Sequence, residues 1–263
     1  MSNAYIPFPS RVKEIIRHTD IEYTFRMSFE GEVKPGQFFE VSIPKYGEAP
    51  ISVSGIGADT VDLTIRKVGK VTDQIFENYE GSTLLMRGPY GNGFDIQNYR
   101  GKEIFVIAGG TGLSPVKGIV DYFCDHPEEA VSTTLIAGFK SPKDILFRED
   151  FAKWEQHLQV IKTVDTAPED YPGRTGMVTR YIPDLPVKDL KNTAFITVGP
   201  PMMIKFTIME ILKLGVPEEN IWISHERRMC CGLGKCGHCK MDSTYICLDG
   251  PVFNYTEGKN LID

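Results

Sequence analysis

The stretch EIFVIAGGTGLSPVKGIVDYFCD, residues 103–125, decides the fold. Ile104 to Ala108 is a short apolar strand that runs straight into Gly109-Gly110-Thr111-Gly112. A helical pattern follows, with Ser114 suited to the N-cap and Pro115 to the first helical position. Strand, glycine turn and helix together predict one unit of a parallel sheet.

The same alternation continues toward the C-terminus. STTLIAGF (132–139), LQVIKTVD (158–165), TAFITVGP (193–200) and NIWISH (220–225) read as strands. REDFAKWEQ (148–156), TGMVTRYIP (175–183) and PMMIKFTIMEILKLG (201–215) read as helices, the second of them short, and Gly215 suits a helix C′ position. Such alternation makes a parallel α/β sheet with helices on both faces, which binds ligands at the carboxyl ends of its strands. Three of those ends carry marked loops: Gly109–Gly112, Gly138-Phe139-Lys140, and Gly199-Pro200-Pro201-Met202-Met203. Each alone reads equally as a tight strand–helix turn. Three on one sheet edge predict a nucleotide site, with the first offering backbone and helix amides to a pyrophosphate. Met202 and Met203 either pack in the helix core or begin a helix lining a nicotinamide pocket.

Toward the N-terminus the pattern turns strand-like between Arg11 and Arg87. RVKEIIRHTD, IEYTFRMSF, QFFEVSIP, APISVSG, TVDLTIRKV and STLLMRG give several short strands with close turns, and a helix is expected over about Lys70 to Tyr79. This predicts a small antiparallel barrel. Two stretches in it are placed to hold a cofactor: Pro50-Ile51-Ser52-Val53, and Thr64-Ile65-Arg66 with Gly69-Lys70-Val71-Thr72. The second reads equally as a strand–turn–helix junction with a solvated lysine. GPYGNGFD, residues 88–95, reads as a loop leading out of the barrel.

The last part of the chain holds CCGLGKCGHCKMDSTYICLDGPVF, residues 230–253, with five of the six cysteines. Cys231, Cys236, Cys239 and Cys247 are spaced C-x4-C-x2-C-x7-C. The first three match the opening used by plant-type ferredoxins for a [2Fe–2S] cluster, whose fourth ligand lies further along the chain than Cys247 does here. Gly232, Gly234 and Gly237 allow the backbone to turn between the thiols. A zinc knuckle and disulfides are the competing readings. Cys230 is a rival thiol beside Cys231, and only Cys231 gives the x4 spacing. Cys124 reads as a small packed residue.

Composition narrows the function classes. The apolar and charged fractions are those of a globular protein, and a net charge of −6 argues against a nucleic-acid groove. No apolar run reaches a membrane span and no signal peptide is evident, so a cytoplasmic location is expected. The order barrel, nucleotide domain, cysteine loop has a chemical logic. Nicotinamides give electrons in pairs and iron–sulfur clusters take them singly. A flavin can exchange both ways.

PISV, TIRKVGKVT, GGTGLSP, VGPPMM and CGLGKCGHC…CLDGPVF, in this order, resemble the ferredoxin–NADP reductase superfamily over nearly the whole chain. Within it they are similar to the iron–sulfur flavoprotein branch of electron-transfer subunits. That branch includes those of dihydroorotate dehydrogenase, of sulfhydrogenase (gamma) and of anaerobic sulfite reductase. The runs HERRMCCGLGKCGHC, GEAPISVSGIG and DLTIRKVGKVTDQIF are most similar to the anaerobic sulfite reductase type.

The resemblance implies an FAD-binding barrel over 1–100, an NAD(P)-binding α/β domain over 101–225 and a [2Fe–2S] loop subdomain over 226–263. It implies that Pro50, Ile51, Ser52 and Val53 line the flavin, with Ser52 at its reactive nitrogen. Thr64, Ile65 and Arg66 would follow the ring and ribityl chain, and Gly69, Lys70, Val71 and Thr72 the pyrophosphate. Gly109, Gly110, Thr111, Gly112, Gly138, Gly199, Pro200, Met202 and Met203 would frame the nicotinamide dinucleotide. Cys231, Cys236, Cys239 and Cys247 would bind iron. Many relatives carry an arginine where this chain has Ala49, with Arg66 or Lys70 left to neutralise flavin phosphate. Lys140 and Lys143 lie beyond the second strand of the nucleotide domain without an arginine pair, which favours NADH over NADPH. The implied assembly is a hetero-oligomer with sirohaem and ferredoxin-like sulfite reductase subunits. A dihydroorotate dehydrogenase or sulfhydrogenase partner is the alternative, and a zinc-containing nucleotide-binding module is a third reading.

Overall fold

The computed structural model describes residues 4–261. The chain divides into two compact units. One holds the residues up to Phe94 together with His225–Val252, and the other holds Asp95–Ser224 and the residues from Phe253.

In the first unit six strands close a barrel: β1 (Phe8–Arg17), β2 (Glu22–Ser28), β3 (Phe38–Ile43), β4 (Gly47–Ile56), β5 (Thr60–Arg66) and β6 (Thr83–Tyr90). Their order is β1-β2-β5-β4-β3-β6, all neighbours antiparallel, and β1 closes on β6 through Phe8↔Met86 and Arg11↔Thr83. Closure removes every free strand edge. Side chains alternate between the two faces of each strand. Phe39 and Val41 of β3, Ile51 and Val53 of β4, and Leu63 and Ile65 of β5 therefore meet inside, with Phe25, Met27 and Met86. Helix α1 (Lys70–Ile75) adds Ile75 to that core. It stops at Phe76, short of the Tyr79 expected from sequence, because Glu77 and Asn78 leave the helical ladder for turn bonds to Gln74 and Ile75.

In the second unit a sheet is built on β7 (Glu103–Gly109), β8 (Ser132–Phe139), β9 (Gln159–Val164), β10 (Arg174–Thr175), β11 (Thr193–Val198) and β12 (Ile221–Ser224). Its order is β10-β9-β8-β7-β11-β12, and these neighbours all run parallel. A seventh strand, Val252–Asn254, lies beyond β12. Every residue of β7 and β11 is buried, as expected for strands covered on both faces. The long helices are α2 (Leu113–Asp125), α3 (Arg148–His157) and α4 (Pro201–Lys213). Lys117 of α2 pairs with Asp121 one turn along the same helix at 2.7 Å and ties α2 to α3 through Asp150 at 2.9 Å.

Two local expectations are corrected. Helix α2 begins at Leu113 with Gly112 as N-cap, because Gly110–Gly112 form a 3-10 turn that runs directly into it, so Ser114 lies inside the first turn. The segment 175–183 forms a 3-10 turn over Val178–Tyr181, preceded by the two-residue β10. Among the described residues no helix is long and apolar enough to cross a membrane.

Candidate redox site

The barrel sorts the flavin candidates by face. Ile51, Val53 and Ile65 are core residues, so only their backbone is available outside. Their neighbours Pro50, Ser52, Thr64 and Arg66 point the other way. Thr64 donates to Ser54 Oγ at 2.8 Å and shares a 2.7 Å hydrogen bond with Thr24. Arg66 pairs with Glu22 at 3.2 Å and remains half exposed. Thr72 is spent on its own turn: its Oγ1 accepts from the Val68 and Gly69 amides and donates to Gly69 O, all at 3.0 Å. Gly69, Lys70 and Val71 are open at the surface or partly so. Ala49 sits opposite Val41, and the neighbouring Glu48 is claimed by Arg87.

Register aligns a row of residues outside the barrel core. Ser52 lies opposite Phe38 and Pro50 opposite Glu40, while Tyr90 and Arg87 of β6 face Phe38 and Glu40 from the other side. Glu40 is fully buried, and neither carboxylate oxygen has a hydrogen-bond partner among the described residues. Burial pushes its pKa up to about 8, against the pull of Arg87 and with help from Glu48 and Cys231. Neither Glu40 nor Arg87 stands out in sequence, since each looks like an ordinary polar residue in a strand.

In the α/β unit the chain order reverses between β7 and β11, and ligands of such sheets bind at that switch point. The loops after these two strands are Gly109–Gly112 and Gly199–Met203, and they pack on each other. A Cβ on Gly112 would lie 2.6 Å from Val198 O and 2.8 Å from Gly199 Cα, so the close approach demands glycine there. Met203 packs against Gly109 and Gly199, whereas Met202 points outward. Gly138, at the end of β8, packs against Val178 instead. Ser114, in the first turn of α2, is 3% exposed and its Oγ has no partner among the described residues. A buried hydroxyl without a partner, in the first helical turn after the switch-point strand, fits a phosphate-bearing dinucleotide. Gly112→Val should destabilise the unit by roughly 1–3 kcal/mol through overpacking and weaken NADH binding. Thermal unfolding with and without NADH measures both effects.

The cysteine loop is a set of amides aimed at sulfur. Cys231 Sγ accepts from the amides of Leu233 at 3.4 Å and of Lys235 and Cys236 at 3.5 Å. Gly234 N lies 3.2 Å from Cys247 Sγ, and Cys247 N lies 3.5 Å from Cys239 Sγ. Cys231, Cys239 and Cys247 are buried; Cys236 and Cys230 are exposed. Burial raises the Cys231 thiol, but the three amides together with the Cys236 side chain outweigh it and bring it down to about 6. Cys247 is pushed up to about 12 by burial and by Cys239 beside it. One acidified thiol and stacked N–H···S contacts suit a thiolate-bound iron–sulfur group, whose sulfurs need such donors. Gly232 has φ of 71°, and a Cβ there would lie 2.6 Å from the Tyr90 ring, so this turn also requires glycine.

The barrel grips this loop at both ends. Arg87 donates to the carbonyls of Cys230 and Cys231. Asn92, in the loop after β6, donates to Asp249 O at 3.0 Å and Val252 O at 2.8 Å and accepts from Val252 N at 3.2 Å. The asparagine was legible only as part of a glycine-dense turn.

This combination defines an NAD-binding oxidoreductase with an iron–sulfur domain. Residues 106–208 match the oxidoreductase NAD-binding domain family, and residues 226–258 match the iron–sulfur cluster binding domain of dihydroorotate dehydrogenase B. The sulfhydrogenase 1 subunit gamma of Pyrococcus furiosus is 35% identical, over 96% of this chain and 92% of its own length. The sulfhydrogenase 2 subunit gamma of that organism is 36% identical over 96% of each chain. Its probable dihydroorotate dehydrogenase B (NAD+) electron transfer subunit is 32% identical, over 91% of this chain and 85% of its own. Among solved structures, an NADH-dependent reduced ferredoxin–NADP oxidoreductase studied for flavin-based electron bifurcation superposes with a TM-score of 0.79. It shares 25% identity and covers 94% of this chain and 88% of its own. The chain belongs to the ferredoxin–NADP reductase-like family of electron-transfer subunits, with FAD/NAD-binding domains followed by a dihydroorotate dehydrogenase B-type iron–sulfur domain.

Proposed function

We propose that this chain oxidises NAD(P)H and delivers the electrons singly, through FAD and a [2Fe–2S] cluster, to a partner subunit. The observation that carries the reading is the set of backbone amides trained on Cys231, Cys239 and Cys247 in a chain that also holds a nucleotide switch point. FAD, when bound, supplies the exchange between paired and single electrons. The protein's own residues do the rest. The Gly109–Gly112 and Gly199–Met203 loops bind and orient the dinucleotide, and Ser52 offers its hydroxyl to the flavin's reactive edge. Cys231, Cys236, Cys239 and Cys247 ligate iron, with the buried three keeping water from the sulfurs. NADH is the preferred donor, because the exposed Lys140 beyond β8 has no arginine pair beside it. A cytoplasmic site fits thiols that must stay reduced.

The partner of sulfhydrogenase type has the better support, since relatives bearing that name align over nearly their whole length. A dihydroorotate dehydrogenase is supported by similar alignments at lower identity. A sulfite-reducing partner with sirohaem and ferredoxin-like subunits is the second reading, favoured by the runs HERRMCCGLGKCGHC and GEAPISVSGIG. Anaerobic purification of the native complex, followed by NADH-driven assays, separates them. Hydrogen evolution with no sulfide formed from sulfite supports the first. Sulfide from sulfite supports the second and removes the first.

A further inference from the structure

Arg87 has no part in the chemistry so far, yet its side chain is only 4% exposed and all three of its nitrogens are engaged. Nε and Nη2 donate to the two oxygens of Glu48, at 2.9 and 2.6 Å. Nη1 donates to Cys231 O at 2.5 Å and to Tyr90 Oη at 3.2 Å, and Nη2 also donates to Cys230 O. Glu48 is fixed in turn by Ser42 Oγ at 2.7 Å. Glu48 lies on β4, the strand of Pro50 and Ser52. One guanidinium therefore joins the strand that faces the flavin to the first cysteine of the cluster loop. A second observation points the same way. Glu40, opposite Arg87 on β3, is buried with no hydrogen bond among the described residues, so Arg87 is the cation that faces two carboxyls and a thiolate loop. Such a buried fork is poorly replaced by lysine, which lacks its planar donors.

We propose that Arg87 is a positioning residue for electron transfer from flavin to cluster. It pins the Cys230–Cys231 backbone to β4, so that the first iron ligand cannot drift from the flavin strand. This rests on the electron-transfer reading above. The step it serves moves one electron from reduced flavin to one ferric iron, with no bond made or broken at Arg87. Its charge against the Cys230–Cys231 backbone also favours the reduced, more negative cluster, because net charge and hydrogen bonding set such potentials.

The test uses the full chain, purified anaerobically with its FAD and cluster, as wild type, R87K, R87M and E48Q. Stopped-flow absorption follows flavin reduction by NADH, freeze-quench EPR follows cluster reduction, and a redox titration gives the cluster potential. Flavin reduction should stay within about twofold of wild type in all three, while cluster reduction slows on the order of tenfold or more in R87M and R87K, as misplacement of reacting groups does. The cluster potential should fall in R87M and hold in R87K. Wild-type rate and potential in variants with full iron and sulfide would overturn the assignment. Should R87M fail to fold, R87K decides, since it retains the buried cation. If wild type itself shows no flavin reduction by NADH, the electron-transfer reading falls and takes the assignment with it. If wild type performs and the variants match it, the assignment alone falls.

Discussion

Replacing Cys236 by serine is expected to strip the cluster from the protein while NADH continues to bleach the flavin. Cys236 is exposed, so the change removes a ligand without opening a cavity. Iron–sulfur clusters depend on soft thiolate ligands, and a serine oxygen is a poor substitute. The nucleotide loops lie in the other unit of the chain. The paired control is Cys230→Ser. Cys230 is exposed, and the barrel holds its carbonyl rather than its sulfur. The amides of Leu233, Lys235 and Cys236 all point at Cys231 instead. Cys230→Ser should therefore keep full iron and sulfide. Metal and sulfide analysis with stopped-flow flavin reduction reads both variants. A cluster kept in Cys236→Ser and lost in Cys230→Ser would mean that the ligand set is wrong.

The second large effect is on stability. Glu40 titrates near 8 when folded and near 4.5 in the unfolded chain. Between those values the unfolded state has lost the proton and the folded state still holds it. The unfolded state thus binds fewer protons, and stability falls as pH rises through this window. Each pKa unit corresponds to about 1.4 kcal/mol, so full ionisation above pH 8 costs up to roughly 5 kcal/mol. Glu40→Gln removes the charge and keeps the shape. Its stability relative to wild type should climb steadily from about pH 4.5 to 8, with Arg87, Glu48 and Cys231 the charged or titratable groups around it. Chemical denaturation at several pH values measures the difference. A gap that stays flat across the window would show that Glu40 is not held protonated.

The sequence made the architecture readable because both patterns are local. Alternation inside the barrel strands and the strand–glycine–helix repeat each recur within a few residues, and the two sheets follow them. The cysteine loop was equally readable, since its candidate ligands lie within one short segment. What holds that loop was not. Arg87 meets Cys231 across 144 positions of chain, and Asn92 meets Val252 across 160. No spacing rule reaches that far. The start of α2 was misread for a subtler reason. Ser114 and Pro115 are good cap residues, but the glycine turn had already begun winding the helix before them. The candidate flavin stretch was readable as a strand but not by face, and the side chains of Ile51 and Val53 belong to the barrel core.

An absorption spectrum of the isolated chain, purified without oxygen and titrated with NADH, alongside iron and sulfide analysis, decides whether this protein carries electrons from nicotinamide to iron. Flavin bands over a broad iron–sulfur shoulder are expected, both bleached by NADH, with two irons and two sulfides per chain. A colourless protein carrying zinc at the four cysteines would contradict that role.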